Sequence, residues 1–158
     1  MKKVLGLLMA AVIAVLGSGC NVSVTVKIGK TDKTAEELLE VVLNSIQFPQ
    51  LVRLEDDERI TDELGIDLTL VEEYVIMQQM LSVDVCEVII LIAKDDDAAD
   101  KLEDVLEART ESLINDFAFY PNQVASAEAT EVGSVMNVVY LICHEEAADA
   151  EMALIDEI

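Results

Sequence analysis

Residues 85–117 read VCEVIILIAK followed by DDDAADKLEDVLEARTESLINDF, and the fold turns on how this stretch is read. Its first part, from Val85 on, is an apolar run rich in Val and Ile, interrupted only by Glu87 and bounded by Asp84 before it and Lys94-Asp95 after it. A strand covered on both faces has this composition, because neither face needs polar residues. The second part places Leu102, Val105, Leu106, Leu113 and Phe117 at helical spacing with acids between them. That spacing predicts an amphipathic helix whose apolar stripe packs back on the strand. Asp95, Asp96 and Asp97 open it, where carboxylates cap free amides and suit the helix dipole. Strand and helix together form the centre of one small α+β domain.

The same stretch contains a predicted ion pair. Glu87 lies inside the apolar strand, and Arg109 falls on the buried stripe of the helix, seven residues after Leu102 and four before Leu113. Glu87 is about 23 Å from Lys94 at ~3.3 Å per strand residue. Arg109 is about 18 Å from Asp97 at ~1.5 Å per helical residue. A helix running back along its strand therefore brings the two side chains together. A buried Glu alone would also suit a general acid, but that role needs a second positioned group and a cleft.

On either side of this centre the chain alternates recognisable elements. Thr34-Ala35-Glu36-Glu37 is a capping box, and Leu38, Leu39, Val42, Leu43 and Ile46 form the stripe of the helix it opens, stopped by Pro49. Asp56 to Leu64 predicts a short helix ending at Gly65. Leu51 to Leu54 carries no decisive pattern. Glu73 to Met80 reads as a strand, folded back through Leu81 to Asp84 as a hairpin. Beyond the long helix, closed by Tyr120-Pro121-Asn122, Val124 to Val132 suggests an irregular strand and Gly133-Ser134 a turn. Val135 to Cys143 is a further strand, and a final Ala-rich helix is assigned Ala148, Met152 and Ile155 as its buried stripe. The expectation is a mainly antiparallel sheet of about four strands in ββαββα order, with the helices on one face. Residues 34–158 make up this single domain, and 20–33 form a short tether or edge strand.

Residues 1–19 have the build of a lipoprotein signal peptide. Lys2 and Lys3 precede an apolar run from Val4 to Leu16, shorter than the about 20 residues a membrane span needs. Gly17, Ser18 and Gly19 then lead into Cys20. Small residues beside a cysteine suit cleavage and lipidation at Cys20, although Gly17 stands where such signals usually carry Leu. An acylated Cys20 would be the membrane anchor and place the domain at the extracytoplasmic face of a bacterial cell membrane.

Composition limits the partners. The chain has 158 residues and a formal charge of −22; loss of residues 1–19 leaves 8 basic against 32 acidic side chains, a charge of −24. Such a surface repels nucleic acid and anionic lipid as direct ligands of the domain. A single His argues against imidazole-based metal or triad chemistry. Asp95, Asp96, Asp97 and Asp100 lack the glycine of a calcium loop and the helix starts within the cluster, so they are read as a helix cap. Cys86 and Cys143 are read as buried thiols, with a disulfide as the alternative. Cys143 and His144, adjacent on a strand, point to opposite faces and do not form a nucleophile–base pair. No catalytic residue, metal site or cofactor is expected.

Several of these features coincide in one family. Leu64-Gly65-Ile66-Asp67 ahead of Glu73-Tyr74-Val75, and Glu87-Val88-Ile89-Ile90 running to Lys94-Asp95, resemble the small bacterial lipoproteins grouped as domain of unknown function 4358. Glu107, Arg109 and Tyr120-Pro121, then Gly133, the apolar strand after it and the acidic turn before the last helix, continue the likeness over about Thr34 to Ile158. The resemblance implies an α+β envelope lipoprotein and brings no activity with it. The resulting expectation is a non-enzymatic binding module with a protein or cell-wall partner. The alternative is an envelope hydrolase using paired carboxylates.

Overall fold

The computed structural model describes residues 29–79 and 84–158. The expected signal peptide 1–19, Cys20, most of the expected tether and residues 80–83 of the expected hairpin loop lie outside the described residues.

Helix α1 (Ala35–Ser45) starts at Thr34, whose Oγ1 accepts from the Glu37 amide while the Glu37 carboxylate accepts from the Thr34 amide, which is the predicted capping box. Strand β1 (Leu51–Arg53) and helix α2 (Asp57–Leu64) come next. Gly65 closes α2 at φ +73°, a left-handed conformation that costs glycine little. A single 3₁₀ turn leads into β2 (Val71–Gln79), which pairs antiparallel with β3 (Glu87–Ala93). Helix α3 (Asp96–Ser112) is capped by Asp95, whose Oδ1 accepts from the Ala98 amide at 2.8 Å. After a π-helical turn at Leu113–Phe117 come α4 (Pro121–Glu128), β4 (Glu131–Val135), β5 (Val138–Cys143) and α5 (Ala147–Glu157).

The sheet has five strands in the order β1-β2-β3-β5-β4, every neighbour antiparallel. The class is α+β, with one strand more than expected, and the extra one is β1. All seven residues of β3 are buried. Ile89, Leu91 and Ala93 face one core with Ile60 and Leu64 of α2, Leu102 and Leu106 of α3, and Ala127 of α4. Val88, Ile90 and Ile92 face a second core with Leu38 and Val42 of α1 and Ala150 and Leu154 of α5. Helices therefore cover both faces, not one as expected. A central strand apolar on both sides leaves no alternative, because an uncovered face would expose its Val and Ile to water.

Three further expectations are corrected. The segment 124–132 begins within helix α4, not an irregular strand. Pro121 sits at its first position, where no amide is needed, and the Gln123 side chain accepts from the amides of Phe119 and Tyr120. The buried stripe of α5 is Ala147, Ala150 and Leu154; Ala148 is exposed, as are Met152 and Ile155. Gly133 and Ser134 lie inside β4, not at a turn. The β4–β5 turn is at Met136 and Asn137, with Met136 at φ +53°. Buried Asn137 supports it, with Nδ2 donating to the Ala93 carbonyl at 3.2 Å and Oδ1 accepting from the Thr31 amide at 2.8 Å.

The glycine at 133 has a different cause. It pairs across strands with Tyr140, and a Cβ there would sit 2.7 Å from the tyrosine Oη and 3.0 Å from Cζ. Tyr140 is buried and its hydroxyl donates to Glu151 Oε1 at 2.7 Å, so the ring has little room to yield. Gly133→Ala is therefore expected to cost about 1–3 kcal/mol, the usual range for overpacking. Urea denaturation checks this, and adding Tyr140→Phe, which removes the contacting oxygen, should recover part of the loss. Strict additivity of the two substitutions would refute the steric account.

Candidate functional site

At the end of the sheet where β3 begins, charged side chains enter the core. Glu87, the first residue of β3, pairs with Gln78 of β2 on one side and Cys143 of β5 on the other. By strand alternation it shares the face of Ile89 and Leu91, beneath α3. The structure brings Glu87 and Arg109 together. Arg109 Nη2 donates to Glu87 Oε2 at 2.8 Å and Nε to the same oxygen at 3.3 Å. The side chains are 3% and 13% exposed, so the pair is largely desolvated. A buried carboxylate is retained only with such a partner, because an isolated one costs several kcal/mol. The second oxygen, Oε1, is buried and has no hydrogen-bond partner among the described residues, and the same holds for Gln79 Oε1.

Above the pair, the last turn of α3 widens. The Ala118 amide donates to the Leu113 carbonyl, five residues back. The wider turn rotates the residues after it out of the helical phase. Phe117, expected on the buried stripe with Leu113, is 47% exposed, while Leu113 stays buried. Phe117 instead lies against Arg109, whose Cζ is 5.1 Å from the ring centroid. Ile114, Phe119 and Tyr120 are exposed beside it. Single-turn π-helical bulges recur at functional sites because they re-aim side chains in this way.

Pair and aromatic lip border a cleft of about 760 Å³. Glu87, Arg109, Gln78 and Gln79 line it together with Phe117 and Phe119. Two arginines and four carboxylates line it in all: Arg59 and Arg109 against Glu63, Asp84, Glu87 and Asp116. Arg59 is bonded to Glu63 at 2.9 Å, and Arg109 to Glu87. Asp84 and Asp116 supply the surplus negative charge. Asp116 accepts from Ser112 Oγ at 3.2 Å and Asp84 from the Val85 amide at 2.9 Å.

Cys86 also lines the cleft, yet both Cys86 and Cys143 are free and buried. Burial pushes each thiol up to about 12, the nearby Asp84 carboxylate adding to the effect, so neither is a thiolate at neutral pH. Cys143 Sγ donates to the Ser126 carbonyl of α4 at 3.6 Å. His144 turns the other way, with its ring 5.0 Å from that of Phe48 and Nδ1 accepting from the Glu146 amide. The adjacent thiol and imidazole are thus separated by the sheet. Sequence reasoning named Glu87 and Arg109 but missed the lip. Its signal was present in Phe117, Phe119 and Tyr120, three aromatics within four residues of a chain with only three Phe and three Tyr.

Neither the curated proteins nor the solved structures include a match to the chain. A family profile does match, over residues 44–144, from the end of α1 to His144 just after β5. The match covers more than half of the sequence and spans the whole sheet, the Glu87–Arg109 pair and the aromatic lip. The chain belongs to the family described as Domain of unknown function (DUF4358).

Proposed function

We propose that this protein is an extracytoplasmic lipoprotein, tethered to the bacterial cell membrane through acylated Cys20, and that its domain is a non-enzymatic binding module. The observation that carries the binding role is the exposed lip of Phe117, Phe119 and Tyr120 beside the cleft over Glu87 and Arg109. Exposed aromatics gathered around a concave, partly charged surface favour contact with a partner, because burying them recovers apolar area that folding left in water. The alternative, hydrolysis by paired carboxylates, draws less support. Each cleft carboxylate is held by a neighbour, Glu87 by Arg109, Glu63 by Arg59, Asp116 by Ser112 and Asp84 by a backbone amide. The partner is a protein or a cell-wall component.

Support for the anchor comes from the sequence, with Lys2-Lys3, the short apolar run and the small residues before Cys20. A diacylglycerol buries two chains at about 0.8 kcal/mol per CH₂, which makes anchoring stable where a single chain is marginal. Cys20→Ala should leave unprocessed precursor that takes no label from a clickable fatty acid. Normal processing and membrane retention of that variant would refute the anchor.

The binding surface has its own test. A photocrosslinking amino acid at position 119 should capture a specific partner from intact envelopes, and the same group at exposed Met152, on α5 across the sheet, should not. Equal capture from both positions would remove the cleft as the contact surface.

A further inference from the structure

We infer that the cleft over Glu87 receives a lysine side chain from a basic segment of the partner, its ammonium directed to Glu87 and its methylene stem lying along Phe117 and Phe119. The inference rests on the cleft being the binding surface and adds the chemistry of what enters it. Three observations converge. Glu87 is 2% exposed, lines the cleft, and has one oxygen committed to Arg109 while Oε1 has no partner among the described residues. A buried acceptor left unmatched is costly, so a donor arriving from a ligand recovers that cost. The charge of the lining is negative, through Asp84 and Asp116, within a chain of net charge −22, which attracts cations and steers them inward. The lip offers ring faces to a cation or to its stem, and Arg109 already occupies one such position at 5.1 Å from the Phe117 ring.

The open oxygen distinguishes the two basic side chains. A guanidinium reaches full strength when its planar fork meets two carboxylate oxygens, and here Oε2 is already taken twice by Arg109. An ammonium is a compact point charge that needs only one acceptor and completes its shell with water or with Asp116. Oε1 is covered from solvent, so the side chains lining the cleft must shift for the ammonium to reach it.

The test titrates the soluble domain, residues 21–158 labelled with ¹⁵N, with the peptide acetyl-Gly-Gly-Lys-Gly-Gly-amide. Counterparts carry acetyl-lysine, arginine or glutamate at the centre. The lysine peptide should shift the amides of Glu87, Arg109 and Phe117–Tyr120 in a saturable way. Acetylation should weaken binding about tenfold or more, the worth of a hydrogen bond to a charged group. Glu87→Gln should do the same, and exposed Asp116→Asn, which leaves the core untouched, should weaken it by a smaller factor. Equal binding of the acetyl-lysine or arginine peptide, or preference for glutamate, overturns the lysine assignment and leaves the cleft as a binding surface. Absence of any shift at the cleft overturns it too, and crosslinking from position 119 then decides separately whether the surface binds a partner at all.

Discussion

Strand β3 determines the rest of the architecture because every one of its side chains is buried and its first is a carboxylate. Six apolar residues divided between two faces require cover on both, which commits α2, α3 and α4 to one side and α1 and α5 to the other. The carboxylate then constrains α3 more tightly than packing does. Apolar contacts tolerate small shifts of a helix along a sheet, but a desolvated charge tolerates no loss of its partner, and breaking such a pair costs about 3–5 kcal/mol. Asp95 fixes where α3 begins and Arg109 fixes where it must be when it reaches the far end of the strand. Between these two points the register of helix against sheet is determined.

The features legible in the sequence were those whose cause is local. The capping box at Thr34, the left-handed Gly65, the apolar run of β3 and the cap at Asp95 each reflect the backbone needs of a few residues. The Glu87–Arg109 contact is long-range, yet strand and helix rises suffice to bring the two together once α3 is taken to fold back along β3. The parts misread depend on contacts made elsewhere in the chain. Ala147, Ala150 and Leu154 form the buried stripe of α5 because small side chains let it lie close to α1, while the larger Met152 and Ile155 remain exposed. Gly133 resembles a turn residue until Tyr140 is seen to cross it. Segment 124–132 lacks helical periodicity because α4 spans only eight residues, and its clearest signs, Pro121 at the first position and Gln123 at the third, concern its start.

The lip eluded prediction for a related reason. A regular continuation of α3 would carry Phe117 onto the face of Leu106 and Leu113, and nothing in the spacing forbids that. One extra residue in the last turn is enough to turn it outward. The consequence for the molecule is four large apolar side chains, Ile114, Phe117, Phe119 and Tyr120, within seven residues at the surface. Each forgoes part of the roughly 1.5–3 kcal/mol that full burial of a large apolar side chain provides, Phe119 and Tyr120 most. A single exposed apolar residue needs no explanation, but a cluster beside a cleft does.

Arg109 links the two halves of the site. Its guanidinium neutralises Glu87 below and lies against Phe117 above, so the floor and the lip share one positively charged group. Their supports differ in kind. The floor belongs to the first residue of the middle strand of a five-stranded sheet, fixed by pairing on both sides of Glu87. The lip is joined to α4 through Gln123, whose Oε1 accepts from both the Phe119 and Tyr120 amides. Whatever moves the Phe117 ring changes what lies over Arg109, and through Arg109 what Glu87 must balance. Movement of the lip is thereby coupled to the buried ion pair at the start of β3, within a distance of two side chains and with no need for the sheet itself to move.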